Sequence, residues 1–317
     1  MFLKPAVIVN PRSAAGRTGR AWRKRQKDLL HVFPNATIEK TACVGDAANL
    51  SRTLLIDGHD LIIAVGGDGT LNEVANGFFM NGRNLFPEST IALLPSGTGS
   101  DYAKGLGLSN DFQQALNAIQ QKAIQCVDVG RLVMSQGEPS LAGDPFHAGT
   151  ERYFLNEVGT GMSVKVVERV NAANKFFGGR LTFLWHTFRA LLTWKNIGIQ
   201  IKTDDNTPCD YCINSIIIAS GRFTGGGMTL APHASPLSGS FAYTVFANLP
   251  RVEAVLRLLE TYRGVKLVHP QIHYGEARQL AITTPGLILE TDGEIAGPTP
   301  AQIEIIPASL RFAGVSF

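Results

Sequence analysis

The sequence has no long apolar run. Stretches such as Leu61–Val65 and Ile216–Ala219 fall far short of the roughly 20 residues that a membrane-spanning helix needs. The opening, Met1–Asn10, holds no apolar segment of signal-peptide length. A cytoplasmic chain is therefore expected, at most peripheral at the inner face of a membrane. Cysteine is scarce, with four in 317 residues. Cys209 and Cys212 form one C-x-x-C, but no second Cys or His pair stands near it at zinc spacing. Buried thiols in a strand are expected in preference to a metal or redox centre. A large excess of one charge is also missing. The balance of 29 Lys and Arg against 26 Asp and Glu gives +3, which does not call for nucleic acid. No G-x-x-x-x-G-K-[ST] occurs, and Gly67–Asn72 lacks the last glycine of G-x-G-x-x-G. A P-loop ATPase and an ordinary dinucleotide dehydrogenase are both disfavoured.

What is present is ordinary globular material, 44% hydrophobic, long enough for roughly two domains. The first third repeats one pattern. Short apolar strands (Ala6–Val9, Ala36–Lys40, Leu61–Val65, Ile91–Leu94) each run into a loop of small or polar residues. A helix follows each loop, at about Arg17–Leu30, Ala47–Ile56, Thr70–Phe78 and Asp101–Leu106. That alternation predicts a doubly wound parallel sheet, whose strand-to-helix loops all gather at its carboxyl edge. After about residue 128 the texture changes. Ser135–Thr150 reads as a long loop. Strand-like runs follow at Tyr153–Val158, Ile197–Lys202, Ile213–Ala219, Ala242–Phe246, Gln279–Thr283, Leu287–Thr291 and Gln302–Ile306. Helical stretches interrupt them at about Gly178–Trp194 and Arg251–Tyr262. The expected architecture is an α/β domain over 1–130, completed by about 305–317, and a mainly antiparallel β-sandwich over 131–304.

Three constellations carry chemistry. In Gly66-Gly67-Asp68-Gly69-Thr70-Leu71-Asn72-Glu73, glycines let backbone N–H groups approach a ligand, and the helix that follows offers an anion site. Thr70 and Glu73 have capping-box spacing, which predicts a helix starting there. Asp68 would repel phosphate unless Mg2+ bridges them, which makes it a candidate metal ligand. Leu94-Pro95-Ser96-Gly97-Thr98-Gly99-Ser100-Asp101 brings hydroxyls and a carboxylate to the same edge. Glu290-Thr291-Asp292-Gly293-Glu294 places carboxylates around a glycine after an apolar strand. Taken alone, its Asp-Gly reads first as a hairpin turn. The sharper reading is a general base and a metal or phosphate partner.

Asn10-Pro11-Arg12-Ser13, Gly66-Gly67-Asp68-Gly69-Thr70, Pro95–Asp101, Gly225–Pro232 and Asp292-Gly293-Glu294 occur in the order of one family. With them the chain resembles, from about Lys4 to Phe312, the diacylglycerol kinase and sphingosine kinase catalytic superfamily in its compact bacterial form. The resemblance implies an α/β domain, a β-sandwich domain and ATP in the cleft between them. It implies that Gly66, Gly67, Asp68, Gly69, Thr70 and Asn72 hold the nucleotide phosphates. Thr41 and Thr98 would be further nucleotide contacts, and Asn10 would lie at the adenine side. Glu294 would be the base that deprotonates the hydroxyl of a lipid alcohol, with its basicity raised by partial burial, and Asp292 would stand beside it. ATP and Mg2+ are the implied cofactors.

The chain also departs from that pattern. The family's Asp-Gly-x-Leu-Asp, part of a structural Mg2+ site, reads Ser238-Gly239-Ser240-Phe241-Ala242 here, so that site is expected to be lost. Ser100 replaces an Asn, and Ser13-Ala14 replaces Ser-Gly. Two other functions compete: an enzyme with a soluble acceptor, like NAD kinase, with Asp68 as base; and a non-catalytic nucleotide or lipid sensor. Arg12, Arg17, Arg20, Arg23, Lys24, Arg25 and Lys27 cluster near the first helix. A solvated face is the leading reading, with an anionic-membrane patch or a phosphate contact as alternatives. Leu181, Leu184, Trp185, Phe188, Leu191 and Leu192 follow helical spacing. A core-packed helix is expected there in preference to an interfacial one. The sequence is silent on oligomeric state.

Overall fold

Strands here follow from burial on both faces. Ala6–Val9, Leu61–Val65 and Ile91–Leu94 are almost wholly withdrawn from water, as strands of a covered parallel sheet must be. The computed structural model describes residues 2–96, 100–121, 123–135, 150–172 and 179–315. The chain divides into two compact units, residues 1–128 with 308–317, and residues 129–307.

In the first unit the elements run β1 (Pro5–Val9), α1 (Arg17–Val32), β2 (Thr37–Lys40), α2 (Asp46–Ile56), β3 (Leu61–Gly66) and α3 (Asp68–Asn76). A small hairpin, β4 (Phe79–Met80) and β5 (Arg83–Asn84), precedes β6 (Thr90–Pro95), α4 (Asp101–Gly105) and α5 (Phe112–Gln120). The sheet order is β2-β1-β3-β6, all parallel. Trp22, Leu29, Phe112 and Leu116 cover one face by packing on Val7, Ile63 and Leu94. Helices α2 and α3 pack against β1 and β3. Because every strand points the same way, the loops after β1, β2, β3 and β6 share one edge. The α/β architecture expected from the alternation is therefore what forms.

Strand β7 (Ile124–Met134) leads the chain out of this unit. The second unit continues with β8 (Thr150–Phe154), β9 (Glu157–Gly161), α6 (Met162–Ala172), α7 (Gly179–Thr193), β10 (Ile197–Thr203) and β11 (Cys209–Ala219). It closes with β12 (Phe241–Ala247), α8 (Arg251–Thr261), β13 (Ile272–Ala277), β14 (Gln279–Ile282), β15 (Ile288–Thr291), β16 (Glu294–Pro298) and β17 (Ala301–Ala313). Its pairings are antiparallel: β16-β15-β9-β11 in order, with β10 and β12 also on β11. The core includes Phe154 stacked on Phe241 at 5.5 Å between Val158, Ile216 and Leu289. A second cluster packs α6, α7 and α8 through Val166, Leu191 and Leu258. The end of β17 returns to the first unit, where Arg311–Ala313 runs parallel to β6.

Four expectations need correction. Helix α3 begins at Asp68, with Gly67 as its cap, not at Thr70. Glu73 does not close a capping box, because its Oε2 accepts the Ala47 N–H at 3.2 Å in the first turn of α2. The run Tyr153–Val158 is not one strand. It breaks at Leu155–Asn156, where the N–H groups turn to a carboxylate. Cys209 and Cys212 do sit in a strand, β11, but both thiols are exposed, and residues three apart in a strand point to opposite faces. Of the loop predicted over Ser135–Thr150, Thr150 already opens β8, and 136–149 lie outside the described residues.

Candidate active site

In the first unit, glycine makes the turn after β3. A Cβ on Gly66 would stand 2.4 Å from Thr70 Oγ1, so the turn folds back on the first turn of α3 only without a side chain there. A Cβ on Gly67 would meet nothing within 4 Å, so that side of the turn is open. The first N–H groups of an α-helix have no intrahelical partner, and here they follow the open glycine. Gly69 and Asn72 lie on this first stretch of α3, and Asn72 accepts from Asn76 Nδ2.

Side chains lock the neighbouring loops to this turn. Asn10 Nδ2 donates to Thr70 Oγ1 at 3.0 Å, and Asn10 Oδ1 accepts the Arg12 N–H at 3.0 Å. Asp68 Oδ2 accepts the Asp101 N–H at 2.7 Å, tying the start of α3 to the start of α4. The Ser96 N–H donates to the Gly66 carbonyl at 2.8 Å. Thr41 is buried beside β1, its N–H on the Val9 carbonyl at 3.0 Å. The loop beyond it is held by Asp46, which accepts the N–H groups of Ala42 and Cys43 at 2.7 and 2.9 Å. Hydrogen bonds from the Cys43 thiol and from these N–H groups hold the Asp46 carboxyl below its ordinary range. Thus Asn10, Thr41, Gly66, Gly67, Asp68, Gly69, Thr70 and Asn72 gather at one edge. Thr98 lies outside the described residues. Of the basic cluster, Arg25 turns inward to Ser96 Oγ at 2.9 Å, while Arg20, Arg23, Lys24 and Lys27 are exposed.

Ala14, where the family has glycine, adopts φ +52°, and Ala15 follows at +55°. The left-handed conformation explains why glycine suits that position.

In the second unit, Asp292 (φ +49°) and Gly293 (φ +82°) form the two-residue turn between β15 and β16. Both positive angles make this a tight hairpin, so the plain reading of Asp-Gly holds. The carboxylate nevertheless has work to do. Asp292 accepts the N–H groups of Leu155, Asn156 and Glu157, each at 2.9 Å. Those bonds interrupt the strand run noted above. Glu294, directly after the turn, is exposed. The burial expected at Glu294 falls on Glu290, which is 2% exposed. Its register partner in β9 is Gly159, where a Cβ would stand 2.4 Å from Glu290 Oε1 and 2.7 Å from Ser163 Oγ. Burial pushes the Glu290 carboxyl up to about 7; the Asp292 charge adds to this, and hydrogen bonds from Gly293 N–H and Ser163 oppose it. Glu157 is also buried and accepts from Thr224 Oγ1. Sequence reasoning quoted Glu290 in its carboxylate run without foreseeing its burial, and missed Glu157. The available signal was glycine in β9, which makes room beside a carboxylate.

Ser163 also lines an apolar pocket in this unit. Met162 and Val166 of α6, Leu191 of α7, Leu258 of α8 and Ile217 of β11 form its walls.

The structural cation that the resemblance implies does not fit at Ser238–Ala242. Ser238 Oγ donates to the Ser235 carbonyl at 2.9 Å, Ala242 is buried in β12, and neither offers a carboxylate. Among the described residues no group of three or more His, Cys, Asp or Glu side chains could hold a metal.

Two family models match the chain. Residues 4–132 match the diacylglycerol kinase catalytic domain, and residues 156–314 match the YegS C-terminal NAD kinase beta sandwich-like domain. A diacylglycerol kinase of Staphylococcus saprophyticus is 26% identical over 309 residues, covering 95% of this chain and 92% of that one. A solved structure of a diacylglycerol kinase from Bacillus anthracis has a TM-score of 0.71 at 22% identity, covering 98% of this chain and 96% of that one. At that identity the likeness speaks for the fold alone. With the second domain match spanning half the chain and the first spanning most of the remainder, the chain belongs to the diacylglycerol kinase-like family of lipid kinases, which are phosphotransferases.

Proposed function

We propose that this protein transfers the γ-phosphoryl group of ATP to the hydroxyl of diacylglycerol or a related lipid alcohol, working in the cytoplasm at the inner membrane face. The observation that carries the reading lies within the second unit. Ser163 of α6 both lines the apolar pocket and hydrogen-bonds the buried Glu290, two residues before the Asp292–Gly293 turn. That combination suits an acceptor with a long apolar body and a single polar end.

In this reading the open turn at Gly66–Thr70 holds the nucleotide phosphates through backbone N–H groups. Glu294, exposed and free to reach a substrate, removes the hydroxyl proton. The lipid oxygen bonds to the γ-phosphorus as the bond to the bridging oxygen of ADP breaks, giving ADP and a lipid phosphate. Mg2+ arriving with the nucleotide would neutralise phosphate charge. Asp292 acts by holding the turn on which Glu294 stands. Asp68 is engaged by the Asp101 N–H, which makes it a poorer base than Glu294 for a soluble acceptor.

The test is transfer of labelled phosphate from ATP into a panel of lipid alcohols. Label should enter the lipid phase. Glu294→Gln should lower turnover by about 100-fold or more while ATP binding persists. Tight ATP binding without transfer to any lipid would favour the sensor. Normal turnover by the Gln variant would reassign the base.

A further inference from the structure

Helices α7 and α8 are apolar on two sides. Their inner sides, with Leu191, Ala254 and Leu258, pack into the core and wall the pocket. The sequence grouped Trp185, Phe188 and Leu192 with that core stripe, but the structure turns them outward, along with Val252, Leu256 and Leu259 of α8. These positions follow i, i+3, i+7 on α7 and i, i+4, i+7 on α8, so each set is a single stripe. The two helices pack side by side over one core. The segment after α8 adds exposed Val265 and Val268. Exposed apolar stripes on two helices that pack together mark an interaction site.

Charge selects the partner. Residues 179–196 and 251–270 carry seven Lys and Arg against two Glu. Removing them from the chain's 29 and 26 leaves a slightly acidic remainder. One of the two carboxylates, Glu260, is paired with Arg257 at 2.7 Å, and the other, Glu253, with His269 at 2.5 Å. Arg189, Lys195, Arg263 and Lys266 are exposed. Two copies of this face brought together across a two-fold axis would set these cations against one another. An anionic lipid surface would instead take both the apolar stripes and the cations.

We infer that the outer face of α7 and α8 docks on an anionic bilayer, so that the helices walling the acceptor pocket also seat it at the membrane. Its purpose rests on the lipid-kinase reading; the docking itself is measured without turnover. The experiment is co-sedimentation of the full chain with phosphatidylcholine vesicles, with and without phosphatidylglycerol. Binding should require phosphatidylglycerol and weaken with salt. The double variant Leu256→Glu, Leu259→Glu should lose about tenfold or more of the partitioning. Both side chains are more than half exposed, so its thermal unfolding should match wild type. Arg263→Glu with Lys266→Glu should lose about tenfold with the apolar stripes intact. Wild-type partitioning by either double variant, or no binding to anionic vesicles, overturns the inference. A dimer in sedimentation equilibrium that the Leu256→Glu, Leu259→Glu variant dissociates also overturns it, giving the face to a second copy. Transfer to a short-chain acceptor in detergent separates the two readings. If the Leu256→Glu, Leu259→Glu variant loses vesicles but keeps that transfer, docking stands apart from catalysis. If wild type binds vesicles but transfers nothing, only the kinase reading falls.

Discussion

The two units place their chemistry in opposite ways. In the first, the open turn at Gly67 and the start of α3 offer backbone groups to solvent, and side chains such as Asn10 and Asp68 serve mainly to hold loops together. In the second, Glu290 and Glu157 are buried and Asp292 accepts three backbone N–H groups, while Glu294 alone of the turn's carboxylates stays exposed. The first site should therefore respond to changes in backbone conformation, and the second to protonation and to loss of acceptors.

The largest expected effect is electrostatic. Glu290 is neutral in both folded and unfolded chains well below its ordinary range. Between about 4.5 and about 7 the folded chain holds a proton that the unfolded chain has lost, so stability falls as pH rises through that window. Above it the deficit is constant. Glu290→Gln, neutral at every pH, should match wild type near pH 4 and exceed it by up to about 3 kcal/mol at pH 8. Urea unfolding across that range measures it, and parallel curves for the two proteins would show that Glu290 carries no such load.

Next comes Asp292→Ala, which leaves three N–H groups without their acceptor. A loss of about 2 kcal/mol in urea unfolding is expected, with protection of the 155–157 amides lost in hydrogen exchange. Unchanged exchange there would mean that the turn, not its carboxylate, fixes the loop.

The smallest effect belongs to the first unit and has the opposite sign. Ala14→Gly relieves a left-handed alanine and should gain about 1 kcal/mol in the same assay. A loss would show that the chain's entropy outweighs the strain, and would weaken the contrast between the units.

The units also differ in how far they could be read. Parallel strands covered on both faces are continuous apolar runs, so β1, β3 and β6 stood out and the shared loop edge followed from the alternation. Helix α3 starts two residues before the point that the capping-box spacing predicts. Glu73 has capping-box spacing from Thr70, but its carboxylate goes to Ala47, a residue no local rule connects to it. In the second unit the Asp292–Gly293 hairpin was readable because both positions favour positive φ. Burial of Glu290 was not, since nothing in Leu289-Glu290-Thr291 announces that Gly159 sits opposite. The same limit applies to α7. Helical spacing identified the amphipathic stretch, but only its neighbours determine that Leu191 faces the core while Trp185 and Leu192 face outward.

By itself the sequence determined the order of the elements, the glycine turns and the family, because periodicity, positive φ and motif spacing are properties of neighbours along the chain. Only the tertiary structure decided which carboxylate is buried, which anchors a loop and which is left exposed. Desolvation depends on what packs above a residue, and those atoms come from far away in the sequence.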